Sequence, residues 1–343
     1  MTYCKYTEQI LPALKGNQKT QNVIFGRHLR SLWGKGPGKY LWLHYDEKWF
    51  WGLVRRRAKA CPEINIMRTE RFCRHKSHIN KVMAVCMVGY AFHGTPDDGG
   101  TGVRIGFTRA QASRIAKRTQ RKRVYSKDGS WTNSGPIVRR KGEAYSVDVA
   151  VTGSNNGNSS DPKFTLLQWF EDLIFKEIEK LVGEGGRFEG YTPVIQGDNA
   201  GPHVEKTFKT RIESYCNERG WLWEPQSSQM PQMNVCDLAI FPAMSKRHTH
   251  TVGKSCKSMA SPDVIWNCAN NVWSSLEEVN IAKASILVWR LAALLVKKGG
   301  DNKFFGTNDM HVGISQDFVQ MFNGLRPKKI SAFLLNNLET RNI

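Results

Sequence analysis

The apolar stretch KVMAVCMVGYAF, residues 81–92, constrains the fold more than any other part of the sequence. It shows no alternation of polar and apolar residues, so it predicts a strand that is buried on both faces. Such a strand has to be covered by other elements on each side. The chain is therefore expected to form a layered domain around a central sheet.

The elements around this stretch predict an α/β fold. Residues 39–46 are rich in β-forming residues and end on Asp46, and residues 48–57 follow as a returning antiparallel strand. Further along, a helix begins near Asp161, and the strand YTPVIQG follows it. Hairpin strands that give way to alternating strands and helices predict a mixed sheet, with antiparallel and parallel strands, flanked by helices.

The charge balance indicates a polyanionic partner. Lys and Arg number 50 and Asp and Glu number 30, which gives a formal net charge of +20. An excess of this size favours nucleic acid as the partner. The longest apolar run is too short for a membrane-spanning helix, which needs about 20 residues. We therefore expect DNA and no membrane among the partners.

Three aspartates each lie at or near the end of an apolar element. They are Asp46 in HYDEKWFWG, Asp198 in IQGDNAGPH and Asp237 in MPQMNVCDLAIF. Sites made of carboxylates alone suit Mg²⁺ or Mn²⁺, which keep several waters and accept substrate phosphate as a further ligand. Two such ions can support an in-line phosphoryl displacement. The three acids and the basic charge together predict metal-dependent chemistry on DNA.

The motifs DEKWF, QGDNAGPH and NVCDLAIF resemble those of the mariner-like DDE/D transposases, in the branch whose third acid is Asp. The resemblance extends over most of residues 7–340. It implies an RNase H-like catalytic domain in which Asp46 bridges two Mg²⁺ or Mn²⁺ ions, while Asp198 and Asp237 bind one each. It also implies that a homodimer cuts one strand at each transposon end with water. The freed 3′ hydroxyl then attacks target DNA.

The same resemblance predicts a domain organisation. Mariner-like enzymes begin with paired helix-turn-helix motifs that bind the terminal repeat of the element, whereas only a short segment precedes Asp46 here. We expect a linker remnant at 1–38, the RNase H-like catalytic domain at 39–300 and a C-terminal tail at 301–343. An inserted basic region at about 93–162 separates the first two catalytic aspartates.

The segment RIAKRTQRKR, residues 114–123, lies in that insertion and contains six basic residues and no acid. It could contact DNA, act as a nuclear localisation signal or form a solvated loop. We favour DNA contact, with import into the nucleus from the same residues. The predicted DNA-binding residues are Arg114, Lys117, Arg118, Arg121, Lys122 and Arg123.

Several residues near the three aspartates are expected to support them. Glu47 is interpreted as a structural neighbour of Asp46, and Asn199 and His203 either orient Asp198, contact phosphate or form structural hydrogen bonds. Asp148, in the alternating stretch YSVDVAV, is the nearest competing carboxylate and is predicted to be an exposed strand residue.

Two other functions remain open at this level. The chain could be a truncated or host-adopted transposase that only binds DNA, since the N-terminal domain that binds the terminal repeat is not evident. It could also be a related RNase H-like nuclease that cuts DNA without joining it. Metal-dependent cleavage distinguishes the first alternative from a transposase, and a strand-transfer product distinguishes the second.

Overall fold

The computed structural model describes most of the predicted catalytic domain. The described residues are 14–33, 40–52, 79–92, 99–125, 130–154, 163–227, 230–255 and 259–301. The first residues, 1–13, and nearly all of the predicted C-terminal tail lie outside them.

The strands of the described residues range from long core strands to short ribbon strands. In chain order they are β1 (Tyr40–Trp51), β2 (Lys81–Phe92), β3 (Gly100–Arg109), β4 (Gln111–Ile115), β5 (Gln120–Arg121), β6 (Val124–Tyr125), β7 (Trp131–Thr132), β8 (Ile137–Arg139), β9 (Ala144–Asp148), β10 (Val151–Thr152), β11 (Phe164–Thr165), β12 (Thr192–Gln196) and β13 (Leu222–Trp223).

The helices of the described residues lie before, between and after these strands. They are α1 (Gly16–Trp33), α2 (Leu166–Trp169), α3 (Phe175–Val182), α4 (Gly201–Val204), α5 (Lys206–Glu218), α6 (Phe241–Ser255), α7 (Pro262–Ser274) and α8 (Glu278–Lys297). A π-helical turn, Phe170–Ile174, joins α2 to α3, and a second one, Cys236–Ile240, leads into α6.

A five-stranded mixed sheet forms the centre of the domain, in the order β13-β12-β1-β2-β3. The first three strands along the chain are antiparallel neighbours, whereas β12 lies parallel to β1 and β13 lies parallel to β12. The predicted mixture of antiparallel hairpin strands and parallel strands is therefore confirmed.

Strand β1 is longer than the sequence predicts. Its antiparallel pairing with β2 runs without a break from Trp42 opposite Tyr90 to Trp51 opposite Lys81. The predicted turn at Asp46 is therefore wrong, and the predicted returning strand at 48–57 begins as the second half of β1. Continuous pairing with the apolar strand β2 outweighs the local turn preference of the acidic pair.

Helices cover both faces of the sheet. Because side chains alternate along a strand, Trp42 of β1 packs into a core that includes α1, α6, α7 and α8. Leu43 and Tyr45 point the other way, into a core closed by the α2–α3 segment and α5. The two-sided burial expected of residues 81–92 is observed, since their burial alternates little along β2.

Helix α8 is long and apolar enough, by length and composition, to cross a membrane. In this fold it packs against β2, β3 and α1, with Val288, Leu291 and Leu295 buried. Helix α1 contributes Leu29 and Leu32 to the same core. Residues 16–33 of the segment predicted as a linker remnant are thus packed onto the domain, while the predicted domain boundaries stay predictions.

The described residues after β3, 111–125 and 130–148, form an antiparallel ribbon, which we call the arm. Strand β4 pairs with β9, β5 with β8, and β6 with β7. Residues of the first half of the arm therefore lie opposite residues of its second half along its described length. Strand β3 itself is an edge strand of the central sheet, while the predicted bounds of the inserted region stay predictions.

Helix α8 approaches β3 closely at Gly102. A Cβ atom at this position would lie 2.8 Å from the Cβ of Ile281 and would meet the carbonyl oxygen of Glu278. We predict that Gly102→Ala lowers the free energy of unfolding by about 1–3 kcal/mol, because the helix has to move away. Urea unfolding measures this loss. Gly16→Ala is the control, since no atom lies within 4 Å of its Cβ position; equal behaviour of the two variants would contradict the prediction.

Candidate active site

Asp46 lies inside β1, on the strand at the middle of the sheet. Its Cα is opposite that of Cys86 on β2, and the residue is only 6% exposed. Its Oδ1 accepts a hydrogen bond of 2.7 Å from the backbone N–H of Glu47. The backbone of a central strand therefore fixes the position of this carboxylate.

Asp237 is held beside β1 by the residues that precede it. Asn234 is fully buried, and its Nδ2 donates to the carbonyl oxygen of Tyr45 at 3.1 Å, while its Oδ1 accepts from the backbone N–H of Cys236 at 2.9 Å. The thiol of Cys236 lies 3.5 Å from that of Cys86. These contacts attach the π-helical turn to the strand that carries Asp46.

Sequence analysis did not assign a role to Asn234, although the residue stands in the NVCDLAIF motif. In the sequence, Asn234 could have been noticed as a polar residue within an apolar stretch, three positions before Asp237. Its two hydrogen bonds give it a structural role at the site. It positions the turn that bears Asp237.

The two carboxyl groups of Asp46 and Asp237 are electrostatically unfavourable in this environment. Burial raises the pKa of Asp46 well above its usual range, and the charges of Asp237, Glu47 and Asp198 raise it further. Burial also raises the pKa of Asp237, although the nearby Lys48 ammonium opposes this rise. The site thus concentrates more negative charge than its own residues neutralise.

Asp198 reaches the same region from β12. His44 of β1 is opposite Gln196 in the parallel register, so the chain leaves β12 next to the middle of β1. The backbone N–H of Ala200 donates to Asp198 Oδ1 at 2.9 Å, which fixes a tight turn after the strand. His203 contacts both Asp198 and Glu47, the residue after Asp46, so the turn that bears Asp198 lies beside Asp46.

His203 joins two carboxylates. Its Nδ1 lies 2.5 Å from Asp198 Oδ1 and its Nε2 lies 2.9 Å from Glu47 Oε1, and its side chain is fully buried. Burial by itself lowers the pKa of His203, but the hydrogen bonds to Asp198 and Glu47 raise it to about 10. The imidazolium therefore donates from both nitrogens. Although burial acts in the opposite direction, this ion pair lowers the pKa of Asp198.

Asn199, by contrast, is engaged in a backbone contact. Its Nδ2 donates to the carbonyl oxygen of Gln226, in the segment after β13. Gln226 in turn donates from its side chain to the carbonyl oxygen of Met230. Asn199 therefore ties the turn after β12 to the segment that leads towards Asp237.

Asp46, Asp198, Asp237 and Glu47 lie in one region of the fold, because His203 contacts Asp198 and Glu47 and because Asn234 attaches the turn with Asp237 to β1; we call these four residues the acid cluster. Within the described ranges, no three or more His, Cys, Asp or Glu side chains are arranged as a group that could hold a metal ion by themselves. The acid cluster is thus an open set of carboxylates. The catalytic roles assigned to its members stay predictions.

Asp148 does not compete for a place in this cluster. Its two carboxylate oxygens accept from Arg109 at 2.6 and 2.8 Å, and its side chain is only 17% exposed. The prediction of an exposed strand residue is therefore wrong. Pairing of β4 with β9 brings Asp148 beside the end of β3, where it fixes the base of the arm through Arg109.

The arm carries the predicted DNA-binding residues. Lys117, Arg118, Arg121, Lys122 and Arg123 are exposed, and Arg114 is half-buried. Pairing of β5 with β8 places β8 beside the first basic run. It brings close three further basic residues to which the sequence alone assigned no role, namely Arg139, Arg140 and Lys141. Their signal was a second basic run that only becomes adjacent to the first when the ribbon forms.

Comparisons with known proteins identify the fold. The sequence matches no protein-family model and no curated protein. A solved structure of the Mos1 transposase paired-end complex with left transposon end aligns over 88% of this chain and 68% of that chain, with a TM-score of 0.52 and 14% identity. The chain has the fold of the Mos1 transposase. At this identity the likeness shows the fold alone.

Two further Mos1 structures agree. A pre-cleavage Mos1 transpososome aligns with a TM-score of 0.53 and 12% identity, over 88% of this chain and 68% of that chain. The Mos1 mariner paired-end complex with Mn gives a TM-score of 0.52 and 12% identity with the same coverage. The predicted RNase H-like mixed sheet flanked by helices is thereby confirmed.

The raised pKa of Asp46 predicts that the free energy of unfolding of the metal-free protein depends on pH. Because the folded state binds this proton more tightly than the unfolded state, stability falls as pH rises above the unfolded pKa of about 3.9. At pH 7 we expect Asp46→Asn to raise the free energy of unfolding by about 1–3 kcal/mol, since it removes a carboxyl group whose ionisation is disfavoured by burial and by neighbouring acids.

The measurement is urea unfolding in EDTA at pH 4 and pH 7. The control is Asp172→Asn, which changes an exposed helical carboxylate and should leave stability nearly constant at both pH values. The electrostatic explanation would be contradicted if Asp46→Asn raised the free energy of unfolding by the same amount at pH 4 as at pH 7. It would also be contradicted if the substitution lowered the free energy of unfolding at pH 7.

Proposed function

We propose that this chain is the catalytic core of a DNA transposase. It cleaves DNA strands at the ends of an element and transfers the freed 3′ hydroxyl to target DNA. The observation that supports the proposal is that the contacts of His203 and Asn234 hold the turns with Asp198 and Asp237 beside the strand with Asp46, in a chain with the Mos1 transposase fold. Three motifs far apart in sequence thus converge at one place.

The acid cluster fits Mg²⁺ or Mn²⁺ by its chemistry. Its members offer only carboxylate oxygens, and burial together with the charges of Asp237, Glu47 and Asp198 raises the pKa of Asp46. Oxygen-only sites that leave room for water and phosphate are typical of these ions. A solved Mos1 paired-end complex contains Mn, which supports two divalent ions as the cofactors here.

Each residue then has a definite task. Bound as a pair, such ions activate an attacking oxygen and neutralise the leaving one in phosphoryl transfer. Asp46, on the central strand, would bind both ions, while Asp198 and Asp237 would bind one ion each. Glu47 and His203 fix the orientation of Asp198 through the two ion pairs described above.

The arm is the surface that we assign to DNA. Two-stranded β-ribbons fit the major groove of duplex DNA, and basic side chains bind its phosphates. Solved Mos1 complexes contain transposon-end DNA, which supports transposon ends and target DNA as partners of this chain. Action as a homodimer on paired ends, in the nucleus, is part of the same proposal.

Two alternatives are kept as outcomes of the test. A host-adopted chain that only binds DNA would bind through the arm and form no metal-dependent product. An RNase H-like nuclease would nick DNA and produce no joined product. The intact acid cluster favours catalysis over binding alone, because its charge repulsion is retained at a cost in stability.

The test is nicking and strand transfer on labelled duplex DNA with Mg²⁺ or Mn²⁺. We predict that Asp198→Asn lowers both rates about 100-fold or more, since loss of a metal ligand exceeds the usual effect of its supporting residues. Asp172→Asn is the control and should retain activity. Full metal-dependent nicking by Asp198→Asn would contradict the proposal.

A second prediction concerns the arm. Replacing Arg121, Lys122 and Arg123 by Gln should weaken DNA binding and reduce the slope of log affinity against log salt by about 0.9 for each phosphate that the variant no longer binds. Fluorescence anisotropy measures both quantities. The control replaces Arg211 and Arg219, which already pair with Glu171 and Glu179. An unchanged slope in the arm variant would show that DNA binds elsewhere.

A further inference from the structure

Lys48 is a cation beside the acid cluster that the functions assigned above do not use. It follows Asp46 by two positions on β1, so both side chains point to the same face of the sheet. The residue is half-buried, and its Nζ lies 5.7 Å from the ring centroid of Phe241. Phe241 directly follows the π-helical turn that carries Asp237. The ammonium is therefore located on the Asp237 side of the cluster.

The two cations of the site are used differently. His203, on the Asp198 side, is fully buried and makes direct ion pairs with two carboxylates. Lys48 acts on Asp237 through its charge, and among the described residues its Nζ contacts a ring and donates no hydrogen bond to a carboxylate. An ammonium has three donors. Those of Lys48 are available to a ligand that approaches the cluster.

We propose that Lys48 binds a phosphate oxygen of the DNA strand held at the acid cluster, on its Asp237 side. This inference rests on the proposed function, because it requires DNA to reach the cluster. The ammonium of lysine is a compact point charge that suits a phosphate oxygen.

The geometry favours this interaction for two reasons. The backbone of Lys48 belongs to a strand paired with β2, and its side chain lies along Phe241, which restricts the positions of the ammonium. The negative charge of the acid cluster also repels a DNA phosphate, so a cation next to it offsets part of the repulsion that divalent ions alone would have to overcome. Lys48 is the half-buried cation at that location.

A competing role is that Lys48 serves only as a counter-ion for Asp237. The two roles differ in what they predict for DNA. A counter-ion affects metal binding and stability but does not alter how the protein binds phosphates. A phosphate ligand contributes to the salt dependence of DNA binding, and does so only when the cluster can accept DNA.

The experiment uses Lys48→Met, which retains most of the aliphatic stem on Phe241 and removes the charge. Lys48→Gln is a second neutral variant, and Lys48→Arg retains the charge. The matched control is Lys81→Met, because Lys81 lies on the neighbouring strand with its Nζ 4.0 Å from the ring centroid of Trp49. Urea unfolding checks that each variant is folded.

Affinity for a labelled duplex is measured by fluorescence anisotropy over a range of salt, in Ca²⁺ and in EDTA. In Ca²⁺ we expect the slope of log affinity against log salt to be smaller by about 0.9 in the neutral Lys48 variants, the value for one bound phosphate. In EDTA, where the uncompensated carboxylates repel DNA, their slopes should equal that of the wild type. Lys48→Arg and Lys81→Met should match the wild type in both conditions.

Equal slopes for wild type and both neutral variants in Ca²⁺ would overturn the inference. So would an equal reduction in Ca²⁺ and EDTA, which would place the phosphate away from the acid cluster. Cleavage by the wild-type chain with Mg²⁺ is measured in parallel. Cleavage with an unchanged slope refutes the role of Lys48 alone, whereas a Lys48-dependent slope without cleavage refutes the transposase and leaves the phosphate interaction in place.

Discussion

The parallel pairing of β1 with β12 is the interaction on which the candidate active site depends. Strand β1 is hydrogen-bonded to β2 on one side and to β12 on the other, so its position is fixed by both neighbours. The register of His44 with Gln196 places the turn that bears Asp198 beside Asp46. Asn234 then attaches the turn with Asp237 to the same strand, through the carbonyl oxygen of Tyr45. One central strand therefore organises all three aspartates.

Charge is distributed unevenly within this arrangement. Asp198 has a buried imidazolium beside it and Asp237 has the more distant ammonium of Lys48, whereas the pKa of Asp46 is raised by burial and by its acidic neighbours. The sheet can tolerate the repulsion because its two cores contribute most of the stability. Functional sites commonly retain such unfavourable groups at the expense of stability. The same imbalance makes the cluster receptive to cations.

Much of the fold follows from local patterns in the sequence, whereas the details of the site depend on tertiary pairing. The unbroken apolar stretch of β2 predicts a central strand, and alternating strands and helices predict the mixed sheet. Local turn preference wrongly ended β1 at Asp46, because the sequence does not show how far its pairing with β2 extends. Asp148 was likewise misjudged and Arg139 was not assigned, since their neighbours are set by the register of the arm. The meeting of Asp46 with Asp198 was predicted from their places at the ends of apolar elements and from the resemblance of the motifs.

The strand order also affects how this protein emerges from the ribosome. Strands β1, β2 and β3 can pair soon after synthesis, but β12 follows only after the arm and the α2–α3 segment have been made. At roughly 5–20 residues per second, this leaves one edge of β1 unpaired for several seconds. An unpaired edge flanked by buried apolar residues can pair with another chain. Newly made molecules therefore pass through an interval in which protection by a chaperone would decide between folding and aggregation.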